Sequence, residues 1–235
     1  MARSTARKRA LNTLYEADEK GQDILSLLAE RIEQPGAQTP LPDYAIEIVR
    51  GVAEHIAAID AMLDTAFAHD CDLVEGGAYY VYDHGKAIMH RYKSDQMISS
   101  PYALHGQPWG KVYRGALFEH LCFPEGYWYE DSLLSYLIFP NAKNVWVTGH
   151  MAYGYRINQA GIVKSSHGKP KSVDTYWITE ELMAEHAQAG LPADDAYFRY
   201  ILLQIRLNQH RIADLPENIQ ESVFVLTCDC LLYTS

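Results

Sequence analysis

Residues 108–131 read P-W-G-K-V-Y-R-G-A-L-F-E-H-L-C-F-P-E-G-Y-W-Y-E-D, and the assignment of the larger part of the chain turns on them. Trp109 and Lys111 lie upstream of Phe123-Pro124-Glu125-Gly126. The stretch closes on Tyr127, Trp128, Tyr129 and the acidic pair Glu130-Asp131. Aromatic faces pack on a sugar ring or a base, and a partly desolvated carboxylate can act as a general base. The alternative is structural. A turn at Pro124-Glu125-Gly126 would precede a helix whose first turn carries Glu130 and Asp131 to complement its dipole. Taken alone, these residues favour the structural reading.

The rest of the composition sets the frame. With 235 residues the chain can form one large domain or two smaller ones. A hydrophobic content of 48% is ample for a core. The formal net charge of −10 excludes a nucleic-acid coat for the chain as a whole. The sign is uneven, because the first ten residues carry Arg3, Arg7, Lys8 and Arg9 and no acid. The four cysteines, at 71, 122, 228 and 230, include one C-x-C but no second pair to complete a zinc site. Reduced thiols and a cytoplasmic location are expected. The N-terminus has no apolar run behind its charges, so no secretory signal is read there. No apolar stretch approaches the ~20 residues of a membrane span.

From the N-terminus, Ser4 or Thr5 can cap a helix. Ala10, Leu11, Leu14 and Tyr15 recur at helical spacing, and Ile24 to Ile32 continue an apolar face after a weak point at Gly21. A loop from Pro35-Gly36 to Pro42 leads to Asp43, which can cap a helix with Ile46, Val49, Ala53, Ile56, Ile59 and Leu63 on one stripe. The basic residues of the first helix read either as a solvated face or as a contact surface. Ala2-Arg3-Ser4-Thr5-Ala6-Arg7-Lys8-Arg9-Ala10-Leu11-Asn12-Thr13-Leu14-Tyr15 resembles the opening of NusB, the bacterial transcription antitermination family, and Tyr44–Asp64 resembles its next helices. The resemblance covers residues 1–66. It implies an all-helical RNA-binding fragment in which Arg3, Arg7, Lys8 and Arg9 contact RNA and a ribosomal protein is the partner. The second half of that family's bundle is not found downstream.

Beyond Phe67 the pattern becomes mixed. Cys71–Tyr82 is strand-like, Asp83-His84-Gly85-Lys86 a hairpin turn and Ala87–Tyr92 the return strand. Helices are expected over Arg114–His120, Asp131–Phe139, Asp174–Gly190 and Ala193–Gln209, with strands at Asn144–Thr148 and Met151–Ile157. A further helix is read near Ile219–Leu226. Residues 67–226 resemble the acceptor-side half of a family 2 glycosyltransferase. Four features carry this in order: Asp72-Leu73-Val74 with Gly76-Gly77, Trp109-Gly110-Lys111-Val112-Tyr113-Arg114, Phe123-Pro124-Glu125-Gly126 with Glu130-Asp131, and Tyr153-Gly154-Tyr155-Arg156. The implied fold class is α/β, an incomplete nucleotide-sugar glycosyltransferase fold behind an all-α N-terminal fragment. The implied roles are Asp131 as general base, Glu130 beside it, Trp109 and Lys111 shaping the acceptor side, and Tyr155 and Arg156 near the donor phosphates. The implied ligands are a nucleotide-sugar, a saccharide or lipid-linked acceptor and, in the intact family, a divalent Mg or Mn ion. That family also implies a place in cell-surface polysaccharide synthesis, cytoplasmic or peripheral to the inner face of the membrane.

Asp70-Cys71-Asp72 is formally the D-x-D of the family's metal loop. It lies too close to Glu130-Asp131 for that role, so no metal ligand is assigned. Residues 1–66 offer no βαβ unit that could supply the nucleotide-binding half. His150 and His167 read as metal ligands or as surface histidines. The closing Leu231-Leu232-Tyr233-Thr234-Ser235 has no capping or packing logic and resembles translated sequencing-adapter read-through. Residues 227–235 are therefore expected to be an artefactual tail, and the junction near 64–70 a join of two genes. On this reading the glycosyltransferase fragment is inactive, and RNA binding by residues 1–66 is the alternative function.

Overall fold

The computed structural model describes residues 3–36, 39–158, 161 and 165–233. Ala2 of the opening motif, residues 37–38 of the first loop and Thr234-Ser235 of the tail lie outside them. The chain divides into two compact units, Met1–Ala61 and Met62–Ser235.

The first unit is helical. Helix α1 spans Arg3–Lys20, α2 Ile24–Glu33 and α3 Asp43–Ala68, the last continuing past the unit boundary. The weak point at Gly21 is a full stop. Its φ of +57° suits a glycine after a helix, and the following N–H, of Gln22, donates to Ala17 O at 2.9 Å. Asp23 then caps α2 by accepting from the Ser26 N–H at 2.8 Å. The buried face of α1 is Ala6, Ala10, Thr13 and Ala17. Ala6 and Ala10 pack with Leu28, Leu41, Ala45 and Val49, and Leu14 joins at the edge. The apolar face expected on α1 is thus narrower than its sequence pattern. Leu11 and Tyr15 stay more than 60% exposed, at 64% and 62%. Glu16 ties α1 to α2. It accepts from Lys20 Nζ at 2.6 Å and Arg31 Nε at 3.0 Å, and also pairs with Arg31 Nη2.

The second unit is mixed α/β. Its strands are β1 (Leu73–Tyr82), β2 (Gly85–His90), β3 (Gln96–Met97), β4 (Lys111–Tyr113) and β5 (Val145–Arg156). The sheet order is β2-β1-β5-β3, and β4 pairs with β1 off this path. The expected hairpin forms, with Tyr82 opposite Gly85. The two strands expected on either side of Gly149 are one continuous strand, β5, parallel to β1. Their register shifts around Gly77, and here glycine is required by space. A Cβ on Gly76 would lie 2.6 Å from Ala152 Cβ and 3.0 Å from His150 O; one on Gly77 would lie 2.6 Å from Met151 Sδ.

Helices α4 (Asp174–Gln188), α5 (Asp195–Ile212) and α6 (Glu217–Tyr233) complete the unit. The main core joins Leu73, Val145 and Val147 of the sheet to Ile178, Leu182 and Ile201 of the helices. Between them lies the segment expected to be a helix over Asp131–Phe139. It is not a regular α-helix. A 3₁₀ turn at Glu130–Ser132 gives way to a π-helical turn at Leu134–Ile138, and a second 3₁₀ turn at Phe139–Asn141 contains Pro140. The Phe139 N–H donates to Leu134 O, five residues back. Every residue from Ser132 to Phe139 is buried, so no solvent face constrains a 3.6-residue repeat, and Pro140 cannot extend one. The helix expected over Arg114–His120 is likewise only a 3₁₀ turn, Gly115–Phe118. At the other end, α6 runs through the expected tail to Tyr233, and Cys230 and Leu231 pack on the main core.

Candidate functional site

Asp131, half-buried, immediately precedes the buried segment, and its surroundings are unusual for a surface helix start. The residue two before it, Tyr129, is buried and holds φ +66°, a left-handed conformation that costs a bulky side chain strain. The Arg211 guanidinium of α5 lies 3.8 Å over the Tyr129 ring, and its Nη1 donates to Thr175 Oγ1 of α4 at 2.9 Å. Burial pushes the Asp131 carboxyl above its ordinary range, the Arg211 charge opposes this and the Glu130 charge adds to it. Glu130 itself is exposed. Nearby, burial pushes the Tyr200 hydroxyl up to about 12. The loop that presents these groups is tied to the start of α4. The Trp128 N–H donates to Asp174 Oδ2 at 2.8 Å, and Lys171 Nζ reaches Asp174 Oδ2 at 2.7 Å and Gly126 O at 2.6 Å.

Trp109 and Tyr155 are brought together. Trp109 stacks on Tyr153 with centroids 4.5 Å apart and leans on Tyr155 at 5.5 Å. Gly110, next to it, has φ +71° and leaves ordinary contact distance to Tyr153. Arg156 is exposed at the end of β5. Lys111 turns the other way. Its side chain is 0% exposed, and its ammonium lies 3.1 Å from Glu75 Oε1 and 2.7 Å from Gln107 O. Its ammonium is spent on a buried carboxylate rather than presented to solvent.

That carboxylate centres a polar cluster which sequence reasoning missed. Glu75, the third residue of β1, is 1% exposed. Tyr92 donates to its Oε2 at 2.8 Å and the His105 N–H at 3.2 Å, while His105 Nδ1 lies 3.2 Å from its Oε1. Burial alone would raise the Glu75 pKa, but the His105 hydrogen bond, the Lys111 charge and the Tyr92 hydroxyl hold it below the usual carboxylate range. His90 stacks on His105 at 3.7 Å, and burial pushes its imidazole toward the neutral form. A signal was present: a carboxylate inside Leu73-Val74-Glu75-Gly76 of an inward strand needs a partner. Its partners are scattered over 90–111 and cannot be read from spacing.

The D-x-D residues do not fit a divalent ion. Arg114 donates to Asp70 Oδ1 at 2.6 Å and to Asp72 Oδ1 at 2.9 Å, and the Lys143 and Asn144 N–H groups occupy Asp72 Oδ2 at 2.8 and 3.0 Å. His150 is exposed, and His167 pairs with Asp214 at 2.8 Å on the surface. No helix among the described residues is long and apolar enough to cross a membrane.

In the first unit, Arg3, Arg7 and Lys8 are exposed, with Arg3 5.8 Å from the Tyr44 ring. Arg9 differs. Its Nη1 donates to Thr39 O at 3.1 Å and Pro40 O at 2.6 Å, closing the loop before α3 onto α1.

No protein-family model matches the chain. Over 65 residues it is 82% identical to the Transcription antitermination protein NusB of Bifidobacterium animalis subsp. lactis (strain AD011), covering 28% of this chain and 42% of that protein. It is 84% identical over 64 residues to the NusB of Bifidobacterium longum subsp. infantis, covering 27% and 34%, and 50% identical over 72 residues to that of Beutenbergia cavernae, covering 27% and 47%. The chain thus spans less than half the length of these curated relatives. A segment amounting to about 27% of the chain is similar to NusB at high identity, and a glycosyltransferase half is not shown.

Proposed function

We propose that the first unit is an RNA-binding piece of a NusB-type antitermination factor, with Arg3, Arg7 and Lys8 as phosphate contacts and a ribosomal protein as partner. The observation that carries this is the identity of 82–84% over 64–65 residues to proteins bearing that name. The chemistry agrees. Helix α1 has no acid in its first turn. Arg3, the cation in that turn, opposes the helix dipole, and a bound phosphate would relieve this. The test is RNA binding by the full chain as a function of salt. Replacing Arg3, Arg7 and Lys8 by Ala should flatten the log–log salt slope on single-stranded RNA by about 0.7 for each phosphate no longer neutralised. Absence of binding at low salt, or an unchanged slope in the triple variant, sinks the proposal.

A second reading is supported by Asp131. A carboxyl raised by burial, behind a strained Tyr129 and beside Arg211, is the environment a general base requires. We propose that residues 67–226 descend from the acceptor side of a nucleotide-sugar-dependent glycosyltransferase. Asp131 would take the proton of an acceptor hydroxyl, with Trp109 and Tyr155 offering aromatic faces to the acceptor and donor. The helical first unit supplies no nucleotide-binding half, so the chain by itself is expected to transfer no sugar. Donor-dependent transfer that vanishes in Asp131→Asn would overturn that expectation.

A further inference from the structure

We propose that Glu75, His90 and His105 form a binding site for a late first-row divalent ion of the zinc class. The inference rests on neither functional reading above. One ligand atom from each of the three residues lies within 4.8 Å of the others. Glu75 Oε1 is 3.7 Å from His90 Nε2 and 3.2 Å from His105 Nδ1. Bonds of about 2.0–2.1 Å in a tetrahedron place ligand atoms about 3.3 Å apart. The two carboxylate–imidazole separations therefore stand close to the spacing such an ion imposes, and the third, between the imidazoles, is within 4.8 Å. Two imidazoles and one carboxylate favour zinc, cobalt or nickel over magnesium and calcium, which take oxygen ligands.

The support around these donors is of the kind a metal site needs. Tyr92 and the His105 N–H hold Glu75 Oε2, so Oε1 is the oxygen turned to both imidazoles. Glu75 sits on β1 and His90 ends β2, the strand paired beside it. The His105 side chain is 39% exposed and gives the ion a route in. Three contacts must yield, the first being the His90–His105 stack, whose planes lie 18° apart and must open for both in-plane lone pairs to converge on one ion. Lys111 Nζ lies 3.1 Å from the same Glu75 oxygen, and His90 Nε2 lies 3.1 Å from Gly76 O. The cluster can absorb the displacement of Lys111, because Lys111 already donates to Gln107 O and the buried Gln107 Oε1 lacks a partner. His90 Nδ1 is also buried without one, so protein atoms alone do not complete this cluster.

The test is Co²⁺ titration of the full chain, read by d–d absorption. We expect a saturable tetrahedral-type band, displaced by Zn²⁺ and not by Mg²⁺. Affinity should fall about tenfold or more in His105→Ala. Should that variant lose its native circular dichroism, His105→Gln takes its place. The absence of a d–d band overturns the proposal. So does equal affinity in the His105 variant, or a thiolate-to-cobalt charge-transfer band that places the ion on Cys228 and Cys230.

Discussion

Replacing Lys111 by Met removes one charge from a buried pair and keeps most of the packed stem. The ammonium and Glu75 Oε1 are 3.1 Å apart, both on side chains about 1% exposed or less. At an effective dielectric of about 20 that separation is worth about 5 kcal/mol of attraction. Glu75 keeps its Tyr92 and His105 hydrogen bonds, so the net cost should be about 3–5 kcal/mol, the usual penalty for stranding one member of a buried pair. The cost should depend on pH. In the native chain Glu75 is held below its ordinary pKa, so its contribution is present above that value and lost as pH falls through the lowered one. Without Lys111, burial dominates and the carboxyl rises. The variant then gains stability as pH falls, and its deficit narrows from pH 8 toward pH 5. Urea unfolding followed by tryptophan fluorescence reads this unit alone, since Trp109, Trp128, Trp146 and Trp177 all lie beyond Ala61. A penalty below about 1 kcal/mol with an unchanged m-value, or the same penalty at both pH values, would refute the buried-pair account.

Other outcomes follow from single contacts. Glu16 is held down at about 2 by hydrogen bonds from Arg31 and Lys20, so its stabilisation is complete above about 4.5 and fades as pH falls toward 2. Glu16→Gln should flatten that acid limb in helical circular dichroism. Gly76→Ala drives a Cβ to 2.6 Å from Ala152 and should cost about 1–3 kcal/mol in urea midpoint, whereas Gly51→Ala meets nothing within 4 Å in α3 and should gain about 1 kcal/mol. The raised pKa of Asp131 means that its ionised form opposes folding. Asp131→Asn should therefore stabilise the chain by about 0.5–2 kcal/mol at pH 8, with the gain shrinking as pH falls, as read by thermal unfolding.

Local rules carried much of the helical unit. Asp43 opens α3 as expected, whereas Gly21, read only as a weak point in a continuing face, stops α1 outright and a capped α2 follows. The hairpin at Asp83-His84 was equally legible, because turn chemistry is written in adjacent residues. What failed was periodicity under complete burial. From Ser132 to Phe139 no side chain faces solvent, so the apolar run was compatible with a helix, and the π and 3₁₀ turns were set by packing and by Pro140. The same limit applied to the site. Trp109, Tyr155 and Asp131 were singled out through the motifs that carry the resemblance. Glu75, His105 and Arg211 matter through partners 15 to 82 residues away, from His90 to Glu75 and from Arg211 to Tyr129. Lys111 was singled out for a motif, and its burial reverses the direction in which its charge can act.

The four basic residues of α1 separate into two physical classes, and RNA binding can tell them apart. Arg3, Arg7 and Lys8 are exposed, so removing them takes away charge and little packing. Arg9 holds Thr39 O and Pro40 O, and Leu41, next in sequence, enters a small core half made of alanine. Leu11 and Tyr15, exposed beside that core, add nothing to it. Arg9→Ala should therefore reduce the folded population of the unit. Fewer competent molecules lower the apparent affinity by the same factor at every salt concentration. Removing a phosphate partner instead changes the slope of affinity against salt. The expected pattern is a parallel downward shift for Arg9→Ala, with weaker helical circular dichroism, and a flatter line for the Arg3, Arg7 and Lys8 variants. A flatter line for Arg9→Ala with full helicity would make Arg9 a phosphate contact and the loop closure incidental.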